Sequence, residues 1–152
     1  MSEMLANHYF LVRNFLPAKT LFEKILIKED SNKNIKKKLI ICCVITGEIK
    51  RALELFTSLI EEDIDVILNT DLNSEDCPCP ELIGQIENHN NFFNSESEYL
   101  IGLGILWLYC DLHQSLKYFN KVLVLAPDNN QYLKITSILR KRLSEDNPDQ
   151  YN

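Results

Sequence analysis

Glycine and proline are scarce in this chain, with four of the first and five of the second among 152 residues. Glycine costs backbone entropy inside a helix and proline costs a hydrogen bond, so a chain poor in both favours helices over a sheet. A basic surplus is also missing. The net charge of −6 at pH 7 argues against general nucleic-acid binding. No apolar run approaches the roughly 18 residues needed to span a bilayer, and the longest, "YLIGLGILWLYC" at 99–110, has the length of a buried core helix. The opening "MSEMLANHYF" has no cationic stretch ahead of an apolar one, so it does not read as a secretory signal.

Sequence signatures of catalysis are lacking as well. There is no Gly-rich phosphate loop, no G-x-S-x-G and no H-E-x-x-H, and the expectation is a protein that is not an enzyme. Five cysteines, an odd number without the spacing of a disulfide framework, point to a reducing compartment and a cytoplasmic protein. What is present, 45% hydrophobic and 25% charged residues, is the composition of an ordinary soluble globular chain.

Apolar periodicity predicts helices throughout. Leu5, Tyr9 and Val12 share one side of a first helix over residues 2–13. Pro17 suits the first turn of a second, whose Ala18, Leu21, Phe22, Ile25 and Leu26 form a core-facing stripe. A third helix, about 35–46, sets Leu39, Ile40, Cys43 and Val44 on one side and stops at Gly47. A fourth follows to Asp63, with Ala52, Leu53, Phe56 and Ile60 facing inward. Short turns force such neighbours to run antiparallel.

Residues 64–79 then turn to loop chemistry, with Cys77-Pro78-Cys79-Pro80 largely extended because a residue before proline is pushed out of the helical region. Pro80 can open a helix to about residue 90. Ser95 and Glu98 have the spacing of a reciprocal N-cap. Helices follow over 99–110, 112–125 and 130–143, the last with Tyr132, Ile135, Ile138 and Leu139 inward and Arg142 mostly outside.

One interval recurs. "RALELFTSLI" at 51–60 matches "PAKTLFEKIL" at 17–26 after a step of 34 residues, setting Ala52 on Ala18 and Phe56 on Phe22. This resembles the tetratricopeptide repeat, whose pattern is W-x2-L-G-x2-Y, then A-x3-F, then P. Matching residues are Leu5, Ala6, Tyr9, Ala18 and Phe22 in one copy, and Leu39, Ile40, Cys43, Gly47, Ala52 and Phe56 in the next. A third copy offers Leu103, Gly104, Trp107, Ser115, Phe119 and Pro127, with a turn that reads one residue short. Proline is absent where Asp30 and Ile64 end the first two copies, and the longer interval from Ala52 to Ser115 marks an insertion.

The resemblance implies an all-α fold, an α-α superhelix of about three helical hairpins over residues 2–31, 32–65 and 96–129. An insertion at 66–95, a capping helix at 130–144 and a flexible tail at 147–152 complete a domain over 1–146. It also implies a protein–protein interaction module, an adaptor, scaffold or chaperone that holds a peptide or helix of another protein in its concave groove. The groove positions are Asn7, Phe10, Lys37, Ile41, Val44, Leu100 and Leu108. Of the cationic and amide positions that grip a carboxylate tail in some members, only Asn7 matches, so a hydrophobic or mixed segment is the expected ligand.

Other readings stay open beside this one. Lys36-Lys37-Lys38 is either a solvated helix start, the favoured view, or an anion site. The carboxylates Glu61, Glu62, Asp63 and Asp65 read as a solvated run. Cys77 and Cys79 read as loop packing, with a thiol or metal site, joined by His89 or His113, as the alternative. Cys79 at the start of a helix would feel its dipole, while Cys42, Cys43 and Cys110 sit on core helices. No cofactor or metal is expected, and neither a nucleic acid nor a membrane is an expected partner. The pair Phe92-Phe93 motivates a self-associating subunit, such as a homodimer.

Overall fold

A computed structural model describes residues 2–88 and 93–146. The helices are α1 (Ser2–Leu11), α2 (Phe15–Lys28), α3 (Lys33–Ile45), α4 (Ile49–Asp63), α5 (Asp65–Leu68), α6 (Glu81–Glu87), α7 (Glu96–Leu108), α8 (Leu112–Leu125) and α9 (Asn130–Asp146). No strand occurs among the described residues. The pairs α1–α2, α3–α4 and α7–α8 pack as hairpins; α2 also packs on α3 and α8 on α9, while α4 meets α7 and α9.

Residues 12–14, 46–48 and 109–111 form the three hairpin turns, so the third is not shorter than the others. Gly47 ends α3 with φ +85°, the left-handed region that glycine enters without steric cost. Glu48 N–H then reaches Cys43 O at 2.8 Å and Gly47 N–H reaches Val44 O at 3.1 Å, which satisfies carbonyls that the helix end leaves over. The first turn uses the same device without glycine. Arg13 holds φ 64°, with Asn14 N–H on Tyr9 O at 2.8 Å. Asp111 starts α8 by accepting from His113 N–H at 2.9 Å and Gln114 N–H at 3.3 Å. Ser95 caps α7 through Glu98 N–H as expected, whereas the Glu98 carboxylate returns to Asn94 N–H.

The six residues of the Ala-x3-Phe recurrence, Ala18, Phe22, Ala52, Phe56, Ser115 and Phe119, are all fully buried. Ser115 Oγ donates to Gly104 O at 2.7 Å, which lets a polar side chain sit where α7 and α8 approach. Phe119 stacks on Phe56 with ring centroids 5.6 Å apart, joining the third hairpin to the second. Phe10 meets Phe22 edge-on at 6.3 Å inside the first. Burying each such ring stabilises the fold by about 1.5–3 kcal/mol.

The inward face of α1 differs from expectation. Ala6 and Phe10 are buried, while Leu5 and Val12 are exposed and Tyr9 is half-buried. Arg142 is not merely an outer residue, because its guanidinium pairs with Asp65 at 2.7 Å and ties α9 to α5.

Candidate functional site

The insertion does not loop away from the hairpins. It folds back as α5 against α3 and α4 and as α6 against α7, burying Ile67, Leu82, Ile83 and Ile86. Arg13 anchors it to the first hairpin turn: Nε donates to Glu81 Oε1 at 2.9 Å and a terminal nitrogen donates to Glu75 O at 3.1 Å. The same guanidinium lies over the Phe10 and Phe15 rings.

Burial corrects the exposure expected of the groove. Phe10, Ile41, Val44, Leu100 and Leu108 are buried, and so is Lys37 at 8% exposure, so these side chains offer no open surface. Asn7 is half-buried, and its Oδ1 accepts from Lys38 Nζ at 2.9 Å. Tyr109, fully buried at the α7–α8 turn, donates its hydroxyl hydrogen to Lys37 O. Burial lowers the Lys37 pKa, with Asp76 and Cys77 opposing the shift from the insertion side.

The lysine run separates rather than converging on an anion. Lys36 lies 3.8 Å from Glu62, Lys37 is buried and Lys38 turns to Asn7. The acidic run is likewise consumed by helix-to-helix pairs. Lys134 holds Glu61 at 3.1 Å, Lys33 holds Asp63 at 3.3 Å and Arg142 holds Asp65.

Three sulfurs converge where the insertion meets α7. Cys79 and Cys110, 31 residues apart in sequence, form a disulfide with their Cα atoms 6.4 Å apart. Cys77 Sγ stands 4.0 Å from Cys110 Sγ and accepts from Cys79 N–H at 3.4 Å. The disulfide departs from the reading that the cysteine spacing points to a reducing compartment. Cys110 lies beyond the end of α7 rather than within it. Cys79 is not a helix-dipole thiol either, because Pro80 occupies the cap of α6 and Pro78 O accepts from Leu82 N–H and Ile83 N–H. Cys79 and Pro80 are in a turn rather than extended, joined by a cis peptide.

Cys42 and Cys43 are buried in α3 as expected. Desolvation pushes both thiols up, that of Cys43 to about 12. His113 is exposed at the start of α8, and His89 lies outside the described residues. No spacing in the sequence pairs Cys79 with Cys110, since their meeting depends on how the insertion returns.

A group of exposed apolar side chains lies at the first hairpin. Met4, Leu5, Leu11 and Val12 are exposed, and at 100° per residue they share one face of α1 and its end. Exposed Leu16 follows across the turn. Phe93 is half-buried, its ring 3.0 Å from where a Cβ on Gly102 would lie, while Phe92 falls outside the described residues. No helix of the described residues is long and apolar enough to cross a membrane. No family model, curated protein or solved structure matches the chain.

Proposed function

We propose that this chain is a tetratricopeptide-like helical-hairpin solenoid acting as a protein–protein interaction module without catalysis of its own. Its apolar groove positions are buried within the fold, and it meets its partner on the outer face of α1. The observation that carries this reading is an inversion of burial: the groove residues Ile41, Val44, Leu100 and Leu108 are covered, whereas Met4, Leu5, Leu11, Val12 and Leu16 stand in solvent. A face of that kind at the first hairpin of a stack is complementary to an apolar helix or segment of another protein. The stacked Phe56–Phe119 rings and the small residues beneath them support the repeat reading.

The test is affinity capture from native lysate with three baits: wild type, Leu5→Asp/Val12→Asp, and Val124→Asp. Val124 is 78% exposed on α8, so its variant controls for surface charge. A protein kept by the wild type and Val124→Asp but lost by the α1 variant is the expected result. Equal recovery on all three baits would remove the α1 face from the proposal. A second copy of the chain is the competing occupant, and a mass that doubles with concentration in sedimentation would identify it.

A further inference from the structure

We propose that, once reduced, the chain holds a soft divalent cation, zinc(II) as the reference ion, between the thiolates of Cys77, Cys79 and Cys110. This is independent of the interaction reading, because it rests on the sulfur cluster alone.

A disulfide needs two sulfurs, and here a third stands against the pair. The ligand atoms of all three cysteines lie within 4.8 Å of one another. A tetrahedral zinc ion with bonds of about 2.3 Å sets its thiolate sulfurs about 3.8 Å apart, and Cys77 Sγ already lies 4.0 Å from Cys110 Sγ. Opening the Cys79–Cys110 bond frees Cys79 Sγ to move outward to the same spacing. The ligands come from two anchored elements. Cys77 and Cys79 lie between the Arg13-held Glu75 and α6, and Cys110 follows α7. The Cys79 N–H lies 3.4 Å from Cys77 Sγ and fixes the position of that sulfur beside the pair. Three thiolates select a soft or borderline metal over magnesium or calcium, and a three-ligand set leaves one place of a tetrahedral ion to water.

Loading takes two steps. A dithiol reductant gives two electrons and two protons to the Cys79–Cys110 bond and leaves as its own disulfide, producing two thiols. The cation then forms three metal–sulfur bonds while three thiol protons pass to water.

The experiment uses the full chain, reduced with a dithiol that is then removed under argon, and titrated with cobalt(II) followed by zinc(II). The expected result is saturation at one cobalt per chain, with a thiolate-to-metal charge-transfer band of three-sulfur intensity that one equivalent of zinc abolishes. Cys77→Ser should weaken binding at least tenfold and reduce the band to two-sulfur intensity, while Cys42→Ser leaves both unchanged. A wild-type band of two-sulfur intensity, or no band at one equivalent, overturns the proposal whether or not the variant folds. Unchanged affinity in a folded Cys77→Ser chain overturns it equally.

Discussion

A Cβ on Gly104 would lie 2.8 Å from Cε2 and 2.9 Å from Cδ2 of Phe119, so the third hairpin closes only because that atom is absent. Phe119 cannot retreat easily, since it is fully buried and its ring is stacked on Phe56. Gly104→Ala gains about 1 kcal/mol of helix propensity but forces overpacking that costs about 1–3 kcal/mol. We expect a net loss of about 1 kcal/mol, read as a lower midpoint in urea. A Cβ on Gly84 in α6 would meet nothing within 4 Å, so Gly84→Ala keeps the propensity gain and should raise the midpoint. The same substitution therefore takes opposite signs at two helical sites.

Arg13 occupies the left-handed region at φ 64°, where a side chain costs about 1–2 kcal/mol and glycine costs nothing. Against that stand its contacts with Glu81 and Glu75 O, and a partly exposed ion pair is worth about 0–1 kcal/mol. Arg13→Gly should thus change global stability by less than about 1 kcal/mol. It should, however, release the insertion. Amide exchange at residues 75–84 should accelerate while α3 and α4 stay protected. Unaltered exchange across 75–84 would show that the insertion is held by its buried Leu82, Ile83 and Ile86 alone.

These contrasts also explain what could be read from residue order. Helix hairpins and the buried Ala-x3-Phe recurrence were legible because 3.6-residue periodicity and a fixed interval survive without coordinates. The return of residues 64–88 was not legible. Helix α5 spans only four residues, too few to show a period. A helix after Pro80 is expected and is found as α6, but nothing in its seven residues says which helix it packs against. The apolar Ile67, Leu82, Ile83 and Ile86 do not announce in sequence which hairpin they will be buried against. The meeting of Cys79 with Cys110 depends on that return and was hidden with it. On α1 the apolar residues surround the helix, so Leu5 and Val12 could be assigned to the core as readily as Ala6 and Phe10.

Alkaline solution should loosen the fold. Desolvation holds the Cys43 thiol up to about 12, against an ordinary 9.0, and raises those of Cys42 and Tyr109 as well. A group whose pKa is higher in the folded state binds more protons there, so its contribution is complete below the unfolded value and is lost above it. Lys37 acts oppositely: its pKa is lowered by burial, so stability rises toward its unfolded value of 10.5. Two thiols and a tyrosine outweigh one amine. The thermal midpoint should therefore fall as pH rises above about 9, and the fall should be shallower in a Cys42→Ala/Cys43→Ala chain compared with wild type at each pH. Parallel curves for the two chains would assign the decline to other groups.

Leu100 is 7% exposed on α7, and its replacement by aspartate tests whether that position belongs to a surface or to the interior. An unpaired carboxylate carried into an apolar site is neutralised or expels the site into water, and removal of the leucine side chain adds a cavity. Together these place the loss at about 3–5 kcal/mol, enough to unfold a marginally stable chain. Ile27→Asp supplies the reference, because Ile27 is 84% exposed and a charge there should move stability by less than about 0.5 kcal/mol. Chemical denaturation of both chains separates the cases. A Leu100→Asp chain as stable as wild type would mean that this position stands open in solution, with Leu100 free to meet a partner.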